Sequence, residues 1–339
     1  MNNQIIVTGG AGYIGSHTVV ELIAAGYEPI IIDDFRNSKD WILERIEEIA
    51  GKKVVCYPID CSNEKAVLDV FNLHSDAVGV IHFAAYKAVG ESVQKPLMYY
   101  QNNINSLCAV LNAMRETAIQ HFVFSSSCTV YGQPEVTEVT EETPIQKATS
   151  PYGDTKITCE KIIQFVQGSG QPIQACLLRY FNPIGAHPSG KIGELPNGIP
   201  NNLVPFITQT AAGKREQLVI NGCDYDTPDG TNIRDYIHVV DLAKAHVKSI
   251  EWLRKQTGSS CEAINLGTGK GTSVLEIIHT FEKVSGVKLN YKFGPRRAGD
   301  VEQIYANASK ANKLLGWKCE YTIADALLHS WNWEKNLIV

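Results

Sequence analysis

The stretch QIIVTGGAGYIG, from Gln4 to Gly15, constrains this chain more than any other. An apolar run leads straight into Gly9, Gly12 and Gly15, spaced three residues apart, and then into an amphipathic segment that ends at Gly26. Glycine has no Cβ, so it permits a tight turn and lets the backbone approach a bulky anion. The first amide groups of the following helix then face that anion. A glycine string alone is a weak signal, because such strings also serve as plain turns. At the first strand-to-helix junction, however, this one predicts a unit that binds the pyrophosphate of a dinucleotide.

The rest of the first 180 residues fits that frame. Short apolar runs begin at Gln4, Pro29, Val54, Gly79, His121 and Ile173, with helix-like segments between them. The runs are apolar nearly throughout, as expected of strands buried on both faces of a parallel sheet. The predicted fold class is therefore α/β, a Rossmann-type doubly wound parallel sheet. After Tyr180 the texture changes. Residues 182–202 are crowded with Pro, Gly and Asn and read as a long irregular connection. With 339 residues, two domains are expected: 1–180 for the dinucleotide and a smaller α/β domain over 181–339. Later segments such as AINLGTG are candidates to return to the first domain.

Composition removes whole classes of function. A formal charge of -5 leaves no basic face for nucleic acid. No apolar run reaches the length of about 18 residues that a membrane-spanning helix needs, and no secretory signal is visible at the start. Nine cysteines without a C-x-x-C pair suit free thiols in a reducing compartment, so the expected location is cytoplasmic. The nine histidines show no metal-ligand spacing, and no metal site is predicted.

The second strand ends in Asp33 and Asp34, 18 residues past Gly15 for the first of them. A carboxylate there accepts hydrogen bonds from an adenosine ribose and repels a 2′-phosphate, which favours NAD. Arg36 nearby keeps NADP open as an alternative, and Asp60 closes the third strand as a second candidate at the adenosine end. Farther on, SPYGDTK places Tyr152 and Lys156 four residues apart at a helix start, hence on one face. An ammonium beside a phenol favours the phenolate, which can take a hydroxyl proton while hydride leaves the same carbon. Ser125, Ser126 and Ser127 end the fifth strand at the sheet edge where ligands bind. Alternation puts Ser125 and Ser127 on one face, so spacing does not choose between them. Arg234, Arg296 and Arg297 lie in loop-like sequence and have the forked donors that suit a diphosphate.

Taken together, TGGAGYIG, SPYGDTK and RYFNPIGAHPSG resemble an extended short-chain dehydrogenase/reductase. KAVGESVQKP, GIPNNLVPF, DGTNIRDYIHV and GPRRAGD narrow the resemblance to the UDP-glucose 4-epimerase family, from residue 4 to about 335. The resemblance implies tightly bound NAD, a transient 4-keto sugar, interconversion of UDP-galactose and UDP-glucose, and a homodimer. Ser127 matches the family's catalytic serine, Tyr152 its base and Lys156 the supporting lysine. Cofactor positions are matched by Gly9, Gly12, Tyr13, Ile14, Gly15, Asp33, Asp34, Phe35, Arg36, Asn37, Ser38, Asp60 and Cys61. They continue with Phe83, Ala84, Ala85, Lys87, Asn102, Tyr152, Lys156 and Phe181. Around the UDP-sugar the matches are Lys87, Ser127, Tyr152, Asn182, Asn202, Leu203, Arg234, Arg297, Asp300 and Ile304.

Ile304 departs from the family pattern. Members restricted to the plain sugars carry tyrosine four residues after the aspartate equivalent to Asp300, whereas members accepting N-acetylated sugars tend to carry Cys or Ser. The isoleucine implies acceptance of UDP-GlcNAc and UDP-GalNAc beside a preferred non-acetylated pair. Two rival readings compete with epimerisation. A nucleotide-sugar 4,6-dehydratase needs an acid and base directly after the strand-end serine, where this chain has Cys128 and Thr129. A silent NAD sensor would need the glycine loop but not Ser127, Tyr152 and Lys156 together.

Overall fold

A computed structural model describes residues 3–297 and 300–337. Seven strands form one parallel sheet: β1 (Gln4–Thr8), β2 (Glu28–Ile32), β3 (Val55–Tyr57), β4 (Gly79–His82), β5 (His121–Ser125), β6 (Gln174–Tyr180) and β7 (Ser260–Leu266). Their order is β7-β6-β5-β4-β1-β2-β3. The central strands are apolar because both sheet faces are covered. Ile5 and Val7 face one cluster with Val19, Leu242 and Ile250, while Ile6 faces another with Val67, Phe71 and Leu107. The winding direction reverses between β1 and β4, where Thr8 sits opposite His82. That crevice at the carboxyl ends of the strands is where an open α/β sheet binds ligands.

The later half of the chain is interleaved with the first. Helix Val239–Leu253 packs against helix Tyr13–Ala24 on the sheet, and β7 completes the sheet edge beside β6. Conversely, Glu138–Val139 leaves the first 180 residues to join a small sheet with Thr272–Ser273, Ile233–Arg234 and Gln303–Ala306. The remaining unit has its own core of Val204, Ile207, Ile277, Phe281 and Leu327, built by helices Leu203–Ala211, Val274–Ser285 and Ile323–Asn336. Two of those helices start on capping boxes, Ser273 with Glu276 and Thr322 with Asp325. Each such cap is worth about 1 kcal/mol and sets where the helix begins.

Candidate active site

The glycine loop is shaped by contacts that a side chain would destroy. Gly9 has φ of +69°, and a Cβ there would sit 2.8 Å from the Ala84 nitrogen. At Gly15 a Cβ would lie 2.2 Å from the Gly9 carbonyl oxygen. Gly12 caps helix Tyr13–Ala24 with no side-chain partner for the first amides. The loop therefore presents backbone at the β1–β4 crevice, which is the cradle a pyrophosphate requires. Tyr13 opens that helix and donates to the Gly185 carbonyl at 2.6 Å, tying the loop to the other unit.

Asp33 is buried and braces the loop. Its carboxylate accepts from Ala11 N at 3.0 Å, Phe35 N at 2.9 Å and Ser38 Oγ at 2.8 Å. Burial raises its pKa, and these three hydrogen bonds act against that rise. Phe35 adopts the left-handed conformation, φ +60°, to bring its amide back onto Asp33. Beyond it, the Arg36 guanidinium pairs with Asp34 and Asp60 and donates to Tyr86 Oη at 3.1 Å and Asn102 Oδ1 at 3.2 Å. Burial alone would raise the Asp60 carboxyl, but bonds from Ser62 and Arg36 hold it below its usual range. With Arg36 held between two carboxylates, this corner is ill-suited to a 2′-phosphate and fits an unphosphorylated ribose. Cys61 is buried at the same corner, and Asn37 is exposed.

The strand-end serines take three different partners, a distinction invisible in their spacing. Ser125 Oγ and Tyr180 Oη are 2.5 Å apart, and Ser126 Oγ donates to Glu160 Oε1 at 2.6 Å. Ser127 caps the short turn Cys128–Tyr131, and its hydroxyl faces Tyr152. Tyr152 is the second residue of helix Pro151–Gly168, whose start Ser150 fixes by accepting from Gly153 N at 3.1 Å. Burial and then Tyr180 raise the Tyr152 phenol well above the ordinary tyrosine pKa, while the Ser127 hydroxyl acts in the opposite direction. One turn later Lys156 is buried, and its Nζ donates to the Ser125 carbonyl at 2.6 Å. Burial pushes this ammonium down to about 8. In the protein's own environment both the phenol and the ammonium thus keep their protons near neutral pH.

The substrate candidates line the other side of the crevice. Lys87 Nζ is 3.2 Å from Glu194 Oε1, which also receives Asn202 Nδ2 at 2.6 Å. Glu194 therefore draws together two predicted residues from the two units. It had no motif to announce it. Leu203 begins the helix that Asn202 caps. Arg234 lies 3.8 Å from Asp300, and Arg297 reaches across to Gly90 after β4. Arg296 turns away, binding Asp224 and stacking on Tyr225 with 4.1 Å from its guanidinium carbon to the ring centroid. Ile304 pairs in register with Arg234 and is buried with Tyr131, Ile157 and Phe181. Asn182 follows Phe181 and pairs with Tyr236. Phe83, Ala84 and Ala85 follow β4 against the glycine loop, with Ala84 N 3.4 Å from Thr8 Oγ1. Ile14 packs on the cluster beneath.

Asp235 within DGTNIRDYIHV, Arg179 at the head of RYFNPIGAHPSG and Glu160, outside these motifs, are not singled out by sequence patterns. Fully buried Asp235 accepts from Thr268 N, Thr268 Oγ1, Gly269 N and Ala306 N at 2.6–3.1 Å. It thereby holds the strand of Ile304 onto the LGTG loop after β7. Only a single acid beside Arg234 could have hinted at it. Among the described residues no cluster of three or more His, Cys, Asp or Glu could hold a metal, and no helix is long and apolar enough to cross a membrane.

Known proteins resemble this chain over nearly its whole length. A family model described as GDP-mannose 4,6 dehydratase matches residues 6–329. UDP-glucose 4-epimerase of Bacillus subtilis is 49% identical over 98% of this chain and 97% of its own length. The UDP-glucose 4-epimerase structure from Bifidobacterium longum in complex with NAD+ and UDP superposes with a TM-score of 0.94 at 47% identity, covering 98% of both chains. The Stenotrophomonas maltophila UDP-glucose-4-epimerase, with bound NAD and formylated UDP-arabinopyranose, gives 0.96 at 43% identity over 100% of this chain and 99% of its own.

Proposed function

Because the chain belongs to the UDP-glucose 4-epimerase family, we propose that it interconverts UDP-galactose and UDP-glucose using NAD. The observation that carries the reading is the convergence of Ser127, Tyr152 and Lys156 at the carboxyl edge of the sheet that also carries the glycine loop. Bound NAD supplies a hydride acceptor and a positive nicotinamide ring that favours the phenolate. Tyr152, oriented through Ser127, takes the proton of the sugar 4-hydroxyl and later gives it back. With NAD held at the glycine loop, hydride from C4 would pass to it and return to the opposite face of the 4-keto sugar, so oxidation and reduction would cancel. Lys156 holds positive charge behind the phenol. Arg234, Arg297, Asn182, Asn202, Leu203 and Asp300 are assigned to the UDP end. Firm anchoring there, with few sugar contacts, leaves the sugar free to turn over.

Two alternatives fit less well. Dehydration needs an acid and a base directly after the strand-end serine, but burial pushes the Cys128 thiol up to about 12, and Thr129 is a weak acid. A sensor needs only the glycine loop, and the Ser127–Tyr152 arrangement would then have no use. Proton NMR of the purified protein with UDP-galactose and no added cofactor tests the proposal. UDP-glucose anomeric signals are expected. Silence even after NAD⁺ is added would overturn it.

A finer reading rests on Ile304, which meets Tyr131 and Phe181 with a side chain shorter than tyrosine. A side chain smaller than tyrosine is what would admit an N-acetyl group, so UDP-GlcNAc and UDP-GalNAc are proposed as secondary substrates. The domain roles follow, with residues 1–180 principally holding NAD and 181–339 the UDP-sugar. Exposed Val93, Leu97 and Phe165 on neighbouring helices support a homodimer through that face. Nine free cysteines support a cytoplasmic location, and the proposed reaction carries the assignment to galactose metabolism.

A further inference from the structure

Behind the strand-end serines lies a buried ion pair that the mechanism above does not use. Arg179 on β6 grips Glu160 with both faces of its fork, Nε to Oε1 at 3.0 Å and Nη2 to Oε2 at 2.7 Å. The side chains are 4% and 1% exposed. Arg179 Nη1 also donates to Tyr131 Oη at 3.1 Å, and Tyr131 donates to Asn265 Oδ1 at 2.6 Å. A pair buried this deeply contributes little net stability over apolar residues of the same volume. Its placement is more informative. Glu160 follows Lys156 by four residues on one helix face and accepts from Ser126, the residue between the Lys156-bound Ser125 carbonyl and Ser127.

We propose that Glu160 is a positioning residue for the epimerase reaction, an inference that rests on the reading above: clamped by Arg179, it ties the Ser125–Ser127 strand end to the helix of Tyr152 and Lys156 and sets a buried negative charge one turn from the ammonium. The other groups around Lys156 offer no such charge at neutral pH. On its own helix, burial pushes the Cys159 thiol up to about 12 and raises the Tyr152 phenol further. From β4, burial pushes His82 down to about 3, leaving it neutral, while β5 contributes the Phe124 ring and the Ser125 carbonyl. Around Glu160 itself stand Arg179 from β6, Ser126 from β5 and, on β7, Cys261, which burial pushes up to about 12. Glu160 thus acts against the burial that lowers Lys156.

The test is an NMR titration of full-length protein carrying ¹³C-labelled lysine, loaded with NAD, with the Lys156 signal assigned by its loss in Lys156→Met. In Glu160→Gln the Lys156 midpoint should fall by about one pH unit or more. The alkaline limb of kcat should move down with it, while KM for UDP-galactose stays within about twofold. An unchanged midpoint overturns the proposal, including the case in which the variant is merely less stable. If Glu160→Gln does not fold, the double variant Glu160→Met, Arg179→Met leaves no unpaired guanidinium and is judged by the same midpoint. A wild-type protein that turns over no UDP-galactose, with the midpoint still falling in the variant, would sink the epimerase reading and leave the electrostatic coupling standing.

Discussion

Lys156 donates to the Ser125 carbonyl at 2.6 Å, and its Nζ stands 5.9 Å from the centroid of the Tyr152 ring. The ammonium is therefore anchored to the strand end rather than to the phenol. It acts on Tyr152 through its field and by holding the strand and helix in register. Burial opposes ionisation of both groups, raising Tyr152 and bringing Lys156 down to about 8. The serine beside the phenol works in its favour.

Tyr152→Phe should keep its NAD, seen by the absorbance of the purified protein, and lose turnover by about 10²–10⁴-fold. Turnover within tenfold of wild type would remove Tyr152 from the role of base.

Lys156 also sets a pH dependence of stability. Its folded pKa, about 8, lies below the 10.5 of an exposed lysine, so between these values the native state binds fewer protons than the unfolded one. Stability then rises with pH across that window and is lowest, on this account, below about 8. Lys156→Met removes the effect. Urea midpoints should show the variant's advantage over wild type shrinking between pH 8 and 10.5, by about 3 kcal/mol in all. A pH-independent difference would contradict the burial argument.

Gly15→Ala places a Cβ 2.2 Å from the Gly9 carbonyl oxygen, so the loop must move. Overpacking of this kind costs about 1–3 kcal/mol, and the displaced backbone no longer cradles a pyrophosphate. Thermal melts with and without added NAD⁺ should show a lower midpoint and no response to the cofactor. A variant that still responds to NAD⁺ would mean the loop is not the pyrophosphate cradle.

At Ile304, a tyrosine should abolish UDP-GlcNAc turnover while leaving UDP-galactose within about tenfold of wild type, and a cysteine should raise the acetylated rate. Parallel NMR assays on the two sugar pairs check this. Equal acetyl-sugar turnover in wild type and Ile304→Tyr would remove residue 304 from substrate choice.

Much of the fold and of the candidate site is legible in the amino-acid sequence. The runs at Gln4, Pro29, Gly79 and His121 are apolar at both odd and even positions, which only a strand covered on both faces requires, and all four lie in the seven-stranded sheet. Tyr152 and Lys156 share a face because helical geometry is local. The start of AINLGTG, a candidate from sequence to return to the first domain, lies in the strand 260–266 at the sheet edge. The departure of 138–139 to the small sheet is beyond such reasoning, since strand pairing across more than a hundred residues leaves no trace in either segment. Glu160 and Glu194 lie outside the motifs, and nothing in RYFNPIGAHPSG or DGTNIRDYIHV marks out Arg179 or Asp235. Their importance comes entirely from what surrounds them.

Sequence by itself determined the local chemistry of this protein: a glycine turn where a Cβ has no room, a capped helix start bearing a phenol and an amine, and three hydroxyls at a strand end. Periodicity and backbone sterics act over a few residues, so they can be read from a few residues. Only the tertiary structure decided which serine meets Tyr152, that Lys156 is held by a backbone carbonyl, and that a buried carboxylate stands behind it. Those outcomes depend on burial and on partners brought in from β5, β6 and β7, and electrostatics inside a low-dielectric core is set by such neighbours.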